Sequence, residues 1–437
     1  MIKMKIAFKL LILLLTLSPI NLKAVDVKVL KSQKNITFWY VHETKAPVIS
    51  LAFSFEGGTA QDPQDKAGLT SFFTSMLLEG AGNLKAQALR ELLENKGIEC
   101  GFDEDKDHIY GSLRTTVEQR KQAATLLKSI LHSPRFDDDA LRYRKEASLA
   151  QIKNYHKSPS HFLKQKSRPL LFGTHPYNKD HEGTLDGIQK ISKSDLTHVQ
   201  KDRFVKGTLK VVLCGNLSGA EAAQMIDEIF GDLPEKGSLN DISKAVMNLS
   251  GKDIEIHGPF PQTVAVFFQE GLPRKDPDYY KLALLIDIMG GKSSSRLFRE
   301  IREKNGLVYT IQAGLGLEEH VQYISGSFGT ENKSARNARK MLREQWSQMQ
   351  KFGASEKELD EAKKGFLGSI AFGFADTMST AQTLLSLYED GFKPSYLKAR
   401  EDMIRSIKIS DLNAFAKKFF KPEKLTTFMV GEDLAKS

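Results

Sequence analysis

Short apolar runs and longer mixed stretches follow one another along this chain, and the two patterns predict different elements. Runs at 48–55, 109–115 and 210–214 in the first half, and at 263–268 and 321–327 in the second, read as β-strands. Stretches at 138–156, 335–351 and 356–372 read as helices. Ser355 with Glu358 makes a capping box for the last of them, each side chain bonding the other's backbone N–H. Asp137, Asp138 and Asp139 form an acidic start to 138–156, which the helix dipole favours without any metal. Strands and helices do not alternate strictly as β-α-β units. The fold class is therefore α+β, with helices packed on one face of largely antiparallel sheets.

An internal repeat divides the chain. Residues 194–216, SDLTHVQKDRFVKGTLKVVLCGN, align without a gap on residues 410–432, SDLNAFAKKFFKPEKLTTFMVGE, at a constant offset of 216. Each predicts an N-capped helix (Ser194, Ser410), a turn and an apolar strand ending in glycine. RELLENKGI at 90–98 parallels REIREKNGL at 299–307, two helix ends with glycine near the C′ position. A period this long is a duplicated domain, not a solenoid unit. The predicted organisation is two homologous half-domains, 25–235 and 253–437, joined by a polar linker, 236–252.

Composition adds the compartment. In residues 1–24, Lys3, Lys5 and Lys9 precede an apolar core at 10–20 that is too short to span a bilayer. This reads as a signal peptide cleaved after Ala24, leaving Val25 first, and predicts an exported protein, periplasmic in a Gram-negative cell. The formal net charge of +9 includes four lysines in that segment and no acids, leaving +5 on the mature chain. So mild an excess, without a dense Lys/Arg run, argues against nucleic acid. Export permits a disulfide between Cys100 and Cys214, but the two stand in different segments and read as buried, unpaired thiols.

Candidate chemistry centres on KAGLTSFFTSMLLEG, residues 66–80, an apolar helix that opens after a glycine-rich turn with Ser71, Thr74 and Ser75 on one side. This is the frame of an inverted zinc-protease helix, H-x-x-E-H, with a hydroxyl at every functional position. The frame at 57–80, the segment GGKSSSRLFREIREKNGLVYTI at 290–311 and the two-half layout together resemble the insulinase/pitrilysin-type zinc metallopeptidases, over nearly the whole mature chain. The resemblance implies a mitochondrial-processing-peptidase-like fold. It carries the family's first zinc histidine onto Ser71, its glutamate base onto Thr74 and its second histidine onto Ser75. The third ligand, a glutamate on a later helix, falls on Gln151, 76 residues beyond Ser75, with Glu146 the nearby carboxylate. Protonated hydroxyls and a neutral amide are poor zinc ligands, and threonine has no titration to serve as a base. No metal is expected in this chain.

The same resemblance assigns Arg302 and Tyr309, seven residues apart, to substrate binding and transition-state stabilisation. Gly306 ends the helix, which places Arg302 in its last turn and Tyr309 on the following strand. A dipole-favoured arginine and a strand tyrosine would also explain the pair without chemistry. Some bacterial members of the family divide the zinc helix and the Arg/Tyr pair between two chains. This chain then reads as the non-catalytic, substrate-binding subunit of an exported heteromeric zinc peptidase. Its partner would be an H-x-x-E-H homologue that carries the zinc, and its substrate a peptide or unfolded protein. The alternative is an inactive peptide-binding or scaffold protein of the same fold. Other motifs are excluded: GGKS at 290–293 lacks the glycine at 286 that a phosphate-binding loop needs, and His175 and His181 read as solvated or capping residues.

Overall fold

The computed structural model describes residues 25–432, so the signal-peptide segment lies outside the described residues. The longer strands of the first half are β1 (Val27–Lys31), β2 (Thr37–His42), β3 (Val48–Glu56), β4 (Glu99–Glu104), β5 (His108–Thr116) and β6 (Lys210–Gly215). Those of the second are β7 (Asp253–His257), β8 (Gln262–Glu270), β9 (Thr310–Glu318), β10 (Val321–Glu331) and β11 (Thr426–Gly431). The first sheet runs β1-β2-β6-β3-β5-β4 and the second β7-β11-β8-β10-β9. Apart from β1, the two orders are the same. In each, one parallel pair (β2 with β6, β7 with β11) joins an otherwise antiparallel ladder. The repeat offset carries β6 onto β11 residue for residue.

The helices that bear on function are α1 (Leu69–Met76), α2 (Asp138–Tyr155), α3 (Pro159–Phe172), α4 (Lys193–Arg203), α5 (Tyr279–Gly290), α6 (Glu356–Phe372), α7 (Thr377–Glu389), α8 (Tyr396–Ser406) and α9 (Ile409–Phe419). α6 has the predicted bounds and its Ser355/Glu358 capping box. The caps at the repeat differ from expectation. Ser192, not Ser194, caps α4, in a capping box with Asp195, and Lys408 stands at the matching position of α9 with no side-chain cap.

Each half has its own core. In the first, Phe53 and Phe55 on one face of β3 pack on Phe204 and Phe230, with ring centroids 4.8–6.4 Å apart. In the second, Phe267 meets Trp346 at 5.5 Å. β3 is nevertheless apolar on both faces, because its other side is also covered. α7, from the second half, lays Ala381, Leu384 and Leu385 over Trp39, Val41, Ala52 and Val212 of the first sheet. Trp39 stacks on Tyr388 at 4.9 Å, and Ser50 Oγ lies 2.7 Å from Thr377 Oγ1. The reverse also holds: α3, from the first half, sets Leu163 and Leu171 against Val264, Phe268, Phe428 and Val430 of the second sheet. The repeat offset carries α3 onto α7, so the halves exchange equivalent helices. Each fully buried leucine in this exchange stabilises the joined form by roughly 1.5–3 kcal/mol.

Residues 236–252 form no helix or strand, yet they are tied to both halves. Asn240 N donates to Gln61 Oε1, Asn248 N to the Leu171 carbonyl and Ala245 N to the His320 carbonyl. The β4–β5 and β9–β10 turns also meet. Tyr177 OH donates to the buried Asp107 carboxylate at 2.6 Å, Glu319 N donates to Asp107 Oδ2 at 3.0 Å, and His320 N donates to Tyr177 OH at 3.1 Å. Cys214 is buried and Cys100 partly so; both thiols are free, and burial pushes each up to about 12. Among the described residues no helix is long and apolar enough to cross a membrane.

Candidate functional site

α1 owes its start to glycine. Gly68 has φ +92°, and a Cβ there would lie 2.6 Å from Gly183 Cα. Leu69, Phe72, Phe73 and Met76 fix the helix in the first core, and the hydroxyl side remains. Ser75 Oγ donates to the Phe72 carbonyl at 2.7 Å. Thr74 is buried, and its Oγ1 lies 2.9 Å from the Ser71 carbonyl and within hydrogen-bond reach of Glu104 Oε2.

Glu104, at the end of edge strand β4, is the residue that the sequence reading missed. It is buried, it accepts from Thr74 and Ser71, and His181 Nε2 stands 3.4 Å from its Oε1. Burial raises its pKa above the ordinary glutamate value, outweighing the two hydroxyl bonds and the His181 charge. His181 is thus a wall residue of the crevice as well as a partly solvated one, with 34% of its side chain exposed. His175 does cap, its Nδ1 accepting from Tyr177 N at 3.1 Å. No local signal joins these groups: Glu104 lies 30 residues from Thr74, and His181 comes from a distant loop.

Gln151 is exposed on α2, and its Nε2 donates to Tyr155 OH at 2.9 Å; Glu146 is exposed as well. The buried carboxylate near α1 on the α2 side is Glu79, which accepts from Arg144 Nε at 2.8 Å and so binds α2 down. The zinc fit fails on these groups. Ser71, Thr74 and Ser75 offer protonated hydroxyls and Gln151 an amide, leaving one carboxylate and one imidazole where a catalytic zinc needs three protein ligands.

Glu104 and His181, with Tyr155 of α2, border a crevice of about 970 Å³ between the halves, whereas Ser71, Thr74, Ser75 and Gln151 are not among its lining residues. One wall is α3 with Glu104 and His181; the other is the face of β8, β9 and β10, including Phe268, Gln312 and Tyr323. On α3, His161 is 9% exposed, its Nε2 has no hydrogen-bond partner, and Asp180 Oδ2 lies 3.5 Å away. Burial lowers the His161 pKa, so the ring is held neutral. Arg168 binds the same Asp180 at 2.8 Å. The result is a crevice of mixed polarity, with the end of edge strand β4 on one side and the edge strand β9 on the other.

Arg302 sits in the last turn of a π-helical segment, Phe298–Lys304, with its guanidinium over the Phe298 ring at 4.5 Å. It is exposed and has no ion-pair partner among the described residues. Tyr309 is 45% exposed and stands one residue before β9, its N–H donating to the Gly329 carbonyl at 2.8 Å. Neither lines the crevice, although Tyr309 leads directly into the edge strand whose Gln312–Gly314 segment does.

Two family models match the chain. One described as Insulinase (Peptidase family M16) covers residues 37–182, and one described as Peptidase M16 inactive domain covers 190–366. Among curated relatives, the Non-peptidase homolog YmxG of Helicobacter pylori is 25% identical over 413 residues, 90% of this chain and 94% of that protein. The Uncharacterized zinc protease YmxG of Bacillus subtilis is 20% identical over 322 residues, 74% of this chain and 78% of that one. Among solved structures, a peptidase M16 inactive domain from Pseudomonas fluorescens superposes with a TM-score of 0.88 at 24% identity, covering 94% of this chain and 99% of that one. A protease from Helicobacter pylori superposes at 0.85 with 15% identity, covering 93% and 99%. These likenesses bear out the two-half fold.

Proposed function

This chain belongs to peptidase family M16, and from that premise we propose that it is the non-catalytic, substrate-binding subunit of an exported two-chain zinc peptidase. The observation that carries the reading is the division of parts. The four zinc and base positions hold Ser71, Thr74, Ser75 and Gln151, while Arg302 and Tyr309 keep their spacing and face solvent. A similar chain with an intact H-x-x-E-H would hold the zinc, which when bound would supply Lewis-acid polarisation of the scissile carbonyl. Arg302 offers a fixed fork to a substrate carbonyl, and the Tyr309 phenol donates to the oxyanion as it develops. The groove beside β9 accepts the peptide in extended form. A guanidinium with no ionic partner and a half-exposed phenol support this, because both are free to meet a group from outside.

The test is peptidase activity on each chain alone and on the mixture. Activity confined to the mixture is expected, with about one zinc per pair. Tyr309→Phe should leave assembly and zinc content unchanged and lower turnover by about 10²–10³. A mixture that associates but cleaves nothing would make the chain a peptide-binding scaffold, and zinc with activity in this chain alone would overturn the proposal.

A further inference from the structure

A second cavity, of about 430 Å³, lies where α5, α6, α7 and α8 meet, and it shares no lining residue with the crevice. Arg400 of α8 reaches its wall. This arginine is 8% exposed, and its Nε is buried without a hydrogen-bond partner. The acid that acts on it, Glu401, does so through space without an ion-pair contact and stands 3.8 Å from Arg405, while Asp390 pairs with Arg274. Arg400 has the Phe374 ring 5.6 Å away and the hydroxyls of Tyr280 and Tyr396 beside it, but no carboxylate binds it among the described residues. No acidic residue lines the cavity.

A buried guanidinium without a counter-charge is unfavourable, and a fold retains one where an anion completes it. The form of the cavity narrows the anion. Arg274 also lines it, but that charge is taken by Asp390, leaving one unmatched positive charge, suited to a monoanion. The lining also includes Phe366, Ile370 and Leu387, apolar surface that a bare inorganic ion would leave uncovered. We propose that this cavity binds a small organic carboxylate, its two oxygens on the Arg400 fork and its carbon body against Phe366, Ile370 and Leu387. A carboxylate matches the guanidinium fork in shape as well as in charge. The carboxylate is supplied either by a free short-chain acid or by the C-terminus of a peptide ending in an apolar residue.

The experiment is calorimetric titration and thermal melting of the full chain with hexanoate, N-acetyl-leucine, N-acetyl-leucinamide and inorganic phosphate. Saturable binding of a carboxylate with a rise in Tm is expected, and none for the neutral amide or for phosphate. Hexanoate binding as well as N-acetyl-leucine identifies free acids; N-acetyl-leucine binding alone identifies a peptide C-terminus. Arg400→Gln should weaken carboxylate binding at least about tenfold. Its unliganded Tm should not fall, because no ion pair is lost. A crystal soaked with 4-bromobutanoate gives a readout that needs no variant, with bromine expected beside Ile370 and Leu387. No saturable carboxylate binding at millimolar concentration, binding of phosphate or amide instead, full binding by Arg400→Gln, or bromine bound elsewhere would each overturn the proposal.

Discussion

Glu104 shows what a buried carboxylate does beside a row of hydroxyls. The hydroxyls of Ser71 and Thr74, poor ligands for zinc, are good donors to a buried carboxylate, and the His181 ring stands 3.4 Å from Oε1 of that carboxylate. Because the folded pKa is raised, the folded chain holds this proton more tightly than the unfolded chain does. The associated stability is fully present below the ordinary glutamate value of about 4.3 and is lost as pH rises through the folded value. Thermal melts from pH 4 to 7 should therefore show Tm falling with pH, and Glu104→Gln should remove that part of the slope while staying at least as stable at pH 7. His181→Gln, by removing a charge that favours the ionised form, should extend the fall to higher pH. A slope unchanged in both variants would take Glu104 out of the titration. None of this is legible from the sequence, where Ser71, Thr74 and Ser75 stand out as a row of hydroxyls but nothing local shows the carboxylate they face.

The elements were largely legible where local chemistry decides them. α6 has its capping box and predicted bounds, and β6 and β11 follow the repeat, because an apolar strand ended by glycine needs no distant partner to be recognised. The cap of α4 shows a finer rule. Of Ser192 and Ser194, only Ser192 has an acid three residues on to close the capping box. What the sequence hides is the second face of β3, apolar because a helix more than 300 residues away covers it. Two substitutions test these elements. Gly68→Ala meets both a positive φ and the Gly183 backbone, and should cost on the order of 1–3 kcal/mol in denaturant unfolding. Leu163→Ala, in the exchanged helix α3, should cost about 2–5 kcal/mol if its packing on the second sheet is that of a core residue.

At the scale of the whole molecule, the exchange of α3 and α7 makes the halves interdependent. A chain cut after Val246, an exposed residue of the connecting segment, leaves each fragment with the helix that covers the other's sheet and without its own cover. Fragments 25–246 and 247–437 should be poorly folded apart and should reassemble on co-expression, as read by circular dichroism and size-exclusion chromatography. Either fragment giving a cooperative melt alone would contradict that dependence. The Asp107–Tyr177 contact adds a second tie, and Tyr177→Phe, which leaves Asp107 short of a donor, should cost about 1–3 kcal/mol in the intact chain. In a body braced in this way each half holds the cover of the other. Swinging the two halves apart would strip both sheets at once, so the gape of the groove is set when the chain folds.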